Sequence, residues 1–172
     1  AAVGFSLYCQ LLQRTIAMMK GEKVHDVVDV RLNLDFVDLS PASGDADASA
    51  ALPYDYVEED AQRMSYLKRF AEATDHRVVT ALARELTDRF GPLPPAVKRF
   101  VRLADLRVAC AAAGIGIVDT RGTRAILYRS NSREIAKVVD LRGKTPDRKI
   151  NELASALAPT PQAERKKPRS SR

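Results

Sequence analysis

The charged residues with the most informative spacing lie near the middle of the chain, in the string Glu85-Leu86-Thr87-Asp88-Arg89. Projected on a helix at about 100° per residue, Glu85, Asp88 and Arg89 fall on one flank, beside the apolar stripe that contains Leu86. Glu85 and Arg89 are also spaced i, i+4 in the order that favours an ion pair. Two interpretations stay open: a solvated salt bridge worth roughly 0.3–0.5 kcal/mol, or a charged edge that docks on a neighbouring protein surface.

Residues that could catalyse a reaction or bind a metal are sparse. His25 and His76 lie at polar edges of predicted elements, where a solvent-facing role is expected. Cys9 and Cys110 lie on predicted helices with no group nearby that would lower a thiol pKa, so both are expected to pack. We therefore predict no catalytic residue, no metal site and no cofactor in this chain. The two distant cysteines favour a reducing, cytoplasmic compartment.

The net charge of +6 is concentrated at the end of the chain. Residues 161–172 hold five basic residues and one acidic residue, a net charge of +4, which leaves only +2 for all the others. This Pro/Ser/Lys/Arg segment cannot bury enough apolar area to order itself. It is either an inert solvated tail or an accessory nucleic-acid-binding segment. The candidate nucleic-acid contacts are Arg165, Lys166, Lys167 and Arg169.

Hydrophobic periodicity predicts the elements that must position these residues. In chain order they are a helix over 4–20, a strand over 28–36, a flexible insertion over 38–52, helices over about 58–72, 75–90 and 95–113, a hairpin over 115–128, a strand over 135–141 and a helix from Thr145 to about 158.

For two of these helices, the sequence also predicts which residues are buried, and for one of them where it begins and ends. The helix near residue 60 is predicted to have an inner face of Ala61, Met64, Leu67 (with Tyr66 beside it) and Phe70. In the helix that carries the charged string, Asp75 is the candidate N-cap and Gly91 the stop. Its predicted inner stripe consists of Val79, Leu82, Leu86 and Phe90.

Helices fill the first two thirds of the chain and short strands the last third. This order predicts a single compact α+β domain, in which several amphipathic helices pack with a small antiparallel sheet. The longest apolar run, residues 108–118, is half the roughly twenty residues that a membrane-spanning helix needs. Because the chain starts without Met, we expect it to be a fragment of a longer protein.

Four segments, in order along the chain, resemble one bacterial protein family, the transcription-repair coupling factors. Residues 2–12 resemble the segment that follows the motor of these proteins. Leu52-Pro53-Tyr54-Asp55-Tyr56-Val57 and the later string Arg63-Met64-Ser65-Tyr66-Leu67-Lys68-Arg69-Phe70-Ala71 are similar to two further patterns. Glu85-Leu86-Thr87-Asp88-Arg89-Phe90-Gly91-Pro92-Leu93-Pro94 resembles the most specific string of the family.

The resemblance implies that this chain is the C-terminal TRCF domain of such a factor. Residues 1–21 would be a helix after the motor, residues 22–160 the domain itself and residues 161–172 a basic tail. In the family the whole protein is a DNA translocase that uses ATP and Mg in its motor, dislodges RNA polymerase stalled at a lesion and recruits UvrA. The C-terminal domain would be non-catalytic: it docks on the N-terminal UvrB-like domain and hides the surface that UvrA binds. The resemblance assigns this docking to Glu85, Asp88 and Arg89, and so favours the docking edge over the solvated salt bridge.

Overall fold

A computed structural model describes residues 30–40 and 45–158 of the chain. Over these residues it contains four helices and four strands, which confirms the predicted α+β class. In chain order the elements are β1 (Arg31–Asn33), α1 (Asp60–Glu72), α2 (His76–Phe90), α3 (Pro95–Ala112), β2 (Ile115–Arg121), β3 (Arg124–Arg129), β4 (Ile135–Asp140) and α4 (Pro146–Leu157). The helix predicted over 4–20, with Cys9, and the tail over 161–172 lie outside the described residues.

The four strands form one sheet in the order β1-β2-β3-β4. The predicted antiparallel pairing holds for β2, β3 and β4, but β1 pairs with β2 in parallel. The described part of β1 is also shorter than the strand predicted over 28–36, because the chain turns at Asp35. The Asp35 carboxylate accepts from the Thr120 hydroxyl at 2.8 Å and from the Gly122 N–H at 2.6 Å, and so ties this turn to the β2–β3 hairpin.

The interior is divided into two clusters that share α3. One lies between the sheet and α4 and contains Val118, Leu127, Ile150 and Leu153; Leu103, Leu106 and Cys110 join it from α3. The other lies among α1, α2 and α3 and contains Phe70, Val79 and Leu86; Val97, Ala104 and Val108 join it from α3. Because α3 has apolar residues on both sides, it holds the helical half against the sheet half.

The ends of α2 form as predicted. The Asp75 carboxylate accepts from the Arg77 backbone N–H at 2.7 Å, which satisfies one of the unpaired amides of the first turn. Gly91 follows the last helical residue with φ of +89°, a conformation that favours glycine. Three of the four predicted inner residues, Val79, Leu82 and Leu86, are buried.

The predicted inner face of α1 is partly wrong. Met64 is 39% exposed, and Arg63 is buried in the position expected for an apolar side chain. Arg63 Nη1 donates to the Val57 carbonyl at 2.8 Å, and its guanidinium lies 4.2 Å from the centre of the Tyr54 ring. Burial of this cation is tolerated because its donors have partners and its planar group stacks on an aromatic ring.

The segment predicted as a flexible insertion over 38–52 packs against the domain where it is described. Residues 50–52 are buried, and Asp38 exchanges backbone hydrogen bonds with Ala48 and Ala50. The buried Arg99 of α3 donates to the carbonyls of Ala46 and Ser49 at 2.8 and 2.7 Å. The packing of this segment could not be predicted from its small and acidic residues, because the arginine that anchors it lies about fifty positions away in the chain.

The last third follows the sequence prediction closely. The β2–β3 hairpin turns at Gly122, whose φ is +61°, and β4 spans most of the predicted 135–141. The Thr145 side chain caps α4 by accepting from the Arg148 N–H, and Pro146 occupies the first helical turn. Ile150 and Leu153 form the buried stripe of α4.

Candidate docking site

A shallow groove lies where α1 and α2 pack side by side. It is open to solvent, has a volume of about 220 Å³ and contains both charged and small side chains. The residues that line it are Ala61, Gln62, Ser65, Tyr66, Arg69, Glu85 and Arg89. The groove therefore brings together two of the three predicted docking residues, Glu85 and Arg89, on the surface of the domain.

Glu85 is held in place by two residues of α1. Arg69 donates two parallel hydrogen bonds, Nη1 to Oε1 at 2.8 Å and Nη2 to Oε2 at 2.6 Å. The Tyr66 hydroxyl donates to Oε1 at 2.9 Å. A carboxylate has about four acceptor sites, so three of those on Glu85 are filled within the domain. Glu85 therefore acts mainly as the residue that fixes the groove wall.

These contacts shift the pKa values of the groove residues. Hydrogen bonds from Arg69 and then Tyr66 lower the pKa of Glu85 to about 2, and the positive charge of Arg89 adds to the effect. Burial, followed by the hydrogen bond to Glu85, raises the pKa of Tyr66. The hydrogen bond to Glu85 raises the pKa of Arg69. At neutral pH the groove thus holds a fixed anion between two cations.

Asp88 and Arg89 are the charges that face outwards. Both are exposed, and Asp88 lies outside the groove lining, one residue before Arg89. The Arg89 guanidinium lies 5.6 Å from the ring centre of Phe90, and that ring packs edge-on against Tyr66 at 5.9 Å. The Phe90 ring thus positions the guanidinium of Arg89, whose side chain stays at the surface.

The ionic partner of Glu85 differs from the one that the spacing offered. The i, i+4 rule pairs Glu85 with Arg89 on the same helix, but the carboxylate is engaged by Arg69 of α1. Tyr66 and Arg69 were therefore missed as site residues. They stand in the string Arg63-Met64-Ser65-Tyr66-Leu67-Lys68-Arg69, which carried part of the family resemblance, so a signal for them was present.

The remaining sequence candidates do not form a second site in the part of the chain described. Cys110 is fully buried, and burial raises its thiol pKa to about 12, as expected of a packing residue. His76 is solvent-exposed, as predicted, and its Nδ1 lies 2.9 Å from Asp105 Oδ1. No group of three His, Cys, Asp or Glu side chains within 30–40 and 45–158 is placed to hold a metal ion. Among the same residues, no helix is long and apolar enough to span a membrane.

Comparison with known proteins gives a consistent family. A family model described as the TRCF domain matches residues 46–138, a range that includes the whole groove. The chain is 33% identical over 140 residues to a protein of Mycobacterium bovis called transcription-repair-coupling factor. This alignment covers 75% of this chain and 10% of that protein. A protein of the same name from Escherichia coli K12 is 30% identical over 113 residues. That alignment covers 66% of this chain and 9% of the Escherichia coli protein.

A solved structure gives a further likeness. It is described as the crystal structure of the C-terminal domain of transcription-repair coupling factor, and it aligns with a TM-score of 0.59 and 14% identity. The alignment covers 75% of this chain and 91% of that one. At this identity the likeness supports the fold alone.

Proposed function

Because this chain belongs to the TRCF domain family, the C-terminal domain of transcription-repair coupling factors, we propose that it is a regulatory docking domain. In the parent protein it docks on the N-terminal UvrB-like domain and covers the surface that UvrA binds. The translocation that dislodges RNA polymerase, with its need for ATP, Mg and DNA, belongs to the motor elsewhere in the parent. This chain contributes restraint and no chemistry.

The observation that carries the proposal is the pre-organised rim of the α1–α2 groove. Arg69 and Tyr66 fix Glu85 before any partner arrives, and the Phe90 ring supports Arg89. Fixed side chains lose little conformational freedom on docking, so a small contact gives a useful affinity. The exposed pair Asp88–Arg89 then requires a cation and an anion on the partner surface, which gives the contact its orientation.

Weak contacts are enough for such a latch, because the two domains are on the same polypeptide. A tethered partner has an effective concentration near millimolar. A latch that is closed about 99% of the time needs roughly 2.7 kcal/mol, half of the swing between 1:99 and 99:1. A few charged contacts on an interface of about 600–1,500 Å² can supply this and still open.

The test is UvrA binding by the full-length parent protein. Reversing the exposed pair, Asp88→Arg with Arg89→Asp, should open the latch and raise the apparent UvrA affinity by up to about 100-fold. The matched control is Asp55→Arg with Arg77→Asp, a pair that is also exposed, keeps the net charge and lies outside the groove lining. Unchanged UvrA affinity in the groove variant, with the domain still folded, would remove the docking role.

A second candidate function is nucleic-acid binding by the basic tail. It is favoured by the +4 charge of residues 161–172, which lie outside the described residues. Phosphate contacts by the tail would make binding steeply salt-dependent. This candidate requires that deletion of residues 161–172 abolishes binding to DNA.

A further inference from the structure

Basic charge is unevenly divided between the two halves of the described chain. Residues 45–114, which form the helical half, hold ten basic and eleven acidic residues. Residues 115–158, which form most of the sheet half, hold nine basic and five acidic residues. The body of the protein therefore has a positive side of its own, separate from the tail.

The two halves also differ in what their cations contact. In the helical half, five arginines bind carbonyl or carboxylate groups of the same domain: Arg63, Arg69, Arg99, Arg102 and Arg107. In the sheet half, seven cations are exposed and have no hydrogen bond or ion pair from their side chains to any described residue: Arg121, Arg124, Arg129, Arg133, Arg142, Lys144 and Arg148. Engaged cations stabilise the fold, whereas exposed unpaired cations leave their charge available to a ligand.

Two of these cations, Arg142 and Lys144, line an open groove of about 630 Å³ together with Lys149. Its walls are the β2–β3 turn, with Gly122 and Thr123, and the segment from Asp140 to Lys144 that leads into α4. The Leu141 N–H donates to the Thr123 carbonyl at 2.7 Å and joins the two walls, and Lys149 Nζ of α4 donates to the Gly122 carbonyl at 2.9 Å. The groove is therefore a defined feature of the fold and not a chance collection of surface side chains.

The acidic residues near this groove are mostly turned to internal partners. Asp147 accepts from Arg99 and Arg102 of α3, and Glu152 accepts from the Gly143 N–H at 3.2 Å. Asp140 is the one acid in the groove lining, and it lies opposite Arg124 in the β3–β4 register. The groove lining thus carries a net charge of +2, from Arg142, Lys144 and Lys149 against Asp140.

The geometry points to this groove, which we name the hairpin groove, as a binding site for the phosphate backbone of duplex nucleic acid. Arginine and lysine side chains that line an open channel can contact backbone phosphates without reading the sequence. The lining contains no aromatic side chain, so the stacking platform that unpaired bases need is missing from it. The site is independent of the docking proposal, because the α1–α2 groove is lined by other residues of the helical half.

The experiment measures binding of the 172-residue chain to a fluorescent duplex of about 20 base pairs, by anisotropy, between about 50 and 200 mM salt. The groove variant Arg142→Ala with Lys144→Ala removes two unpaired cations. We expect affinity at the lowest salt to fall about tenfold, and the slope of log affinity against log salt to become shallower by about two. Two duplexes of unrelated sequence should give the same result.

Two further variants serve as controls. Arg84→Ala with Lys98→Ala removes the same charge from exposed, unpaired positions of the helical half, and should change affinity by less than about twofold. Deletion of residues 161–172 should leave binding that the groove variant still weakens. An equal loss in the helical-half control, complete loss on deletion of the tail, or no duplex binding by the unmodified chain would each overturn the proposal. Absence of duplex binding by the unmodified chain would instead indicate an acidic protein surface as the ligand.

Discussion

The two guanidinium nitrogens of Arg69 donate to the two carboxylate oxygens of Glu85, at 2.8 and 2.6 Å, and so join α1 to α2 at the wall of the α1–α2 groove. The pair is about half exposed, and its bidentate geometry is the arrangement that gives a surface ion pair measurable strength. It positions the part of the surface to which we assign docking.

This pair predicts a specific loss of stability in acid. The pKa of folded Glu85, about 2, lies below the ordinary value of 4.5, so the stabilisation is complete above about pH 4.5 and disappears as the pH falls towards 2. Urea unfolding at several pH values should show this increment, about 0.5–1 kcal/mol because the pair is solvent-exposed. Glu85→Gln should lack it. An identical pH profile for the variant and the unmodified chain would contradict the assignment.

Arg99 predicts a larger effect on stability. Its side chain is 8% exposed and donates to the carbonyls of Ala46 and Ser49 and to Asp147, so it anchors the 45–50 segment to α3 and α4. Arg99→Met leaves the carbonyls of Ala46 and Ser49 without this donor, removes one of the two arginines that bind Asp147, and should lower the free energy of unfolding by about 2–4 kcal/mol. The neighbouring exposed Lys98→Met is the control and should change it by less than about 0.5 kcal/mol. Equal effects of the two substitutions would show that Arg99 is not an anchor.

Cys110 predicts a protected thiol. It is fully buried, and its pKa is raised to about 12, so the reactive thiolate is almost absent at neutral pH. In a chain with Cys9→Ser, a thiol reagent should react with Cys110 only at the rate allowed by opening of the core. Addition of denaturant should release the full reaction. Rapid labelling of the native Cys9→Ser chain would show that α3 does not pack as described.

The parts of the fold that depend on local signals could be predicted from the sequence. Local signals define α2: Asp75 caps it, Gly91 ends it, and Val79, Leu82 and Leu86 form its buried stripe. The hairpin at Gly122 likewise needs only short-range turn chemistry. The parallel pairing of β1 with β2 was not predictable in this way, because the two strands are about eighty residues apart in the chain.

The parts that depend on buried or paired arginines were missed for one physical reason. A pattern of apolar and polar residues places every arginine outside, yet Arg63 and Arg99 are buried, because backbone carbonyls and a carboxylate satisfy their donors. Likewise, the i, i+4 rule pairs Glu85 with Arg89 of the same helix and cannot predict a contact with Arg69 on the adjacent helix. These contacts are tertiary, and they decide both the packing of 45–52 and the shape of the α1–α2 groove.

Docking can be measured by calorimetric titration of this chain with the isolated UvrB-like domain. A latch closed about 99% of the time at a millimolar effective concentration corresponds to a dissociation constant of about 10 μM when the domains are separate. We expect binding near that value, and a loss of at least about tenfold on Asp88→Arg with Arg89→Asp. No binding at concentrations near 1 mM, or equal affinity for the unmodified chain and the variant, would contradict it.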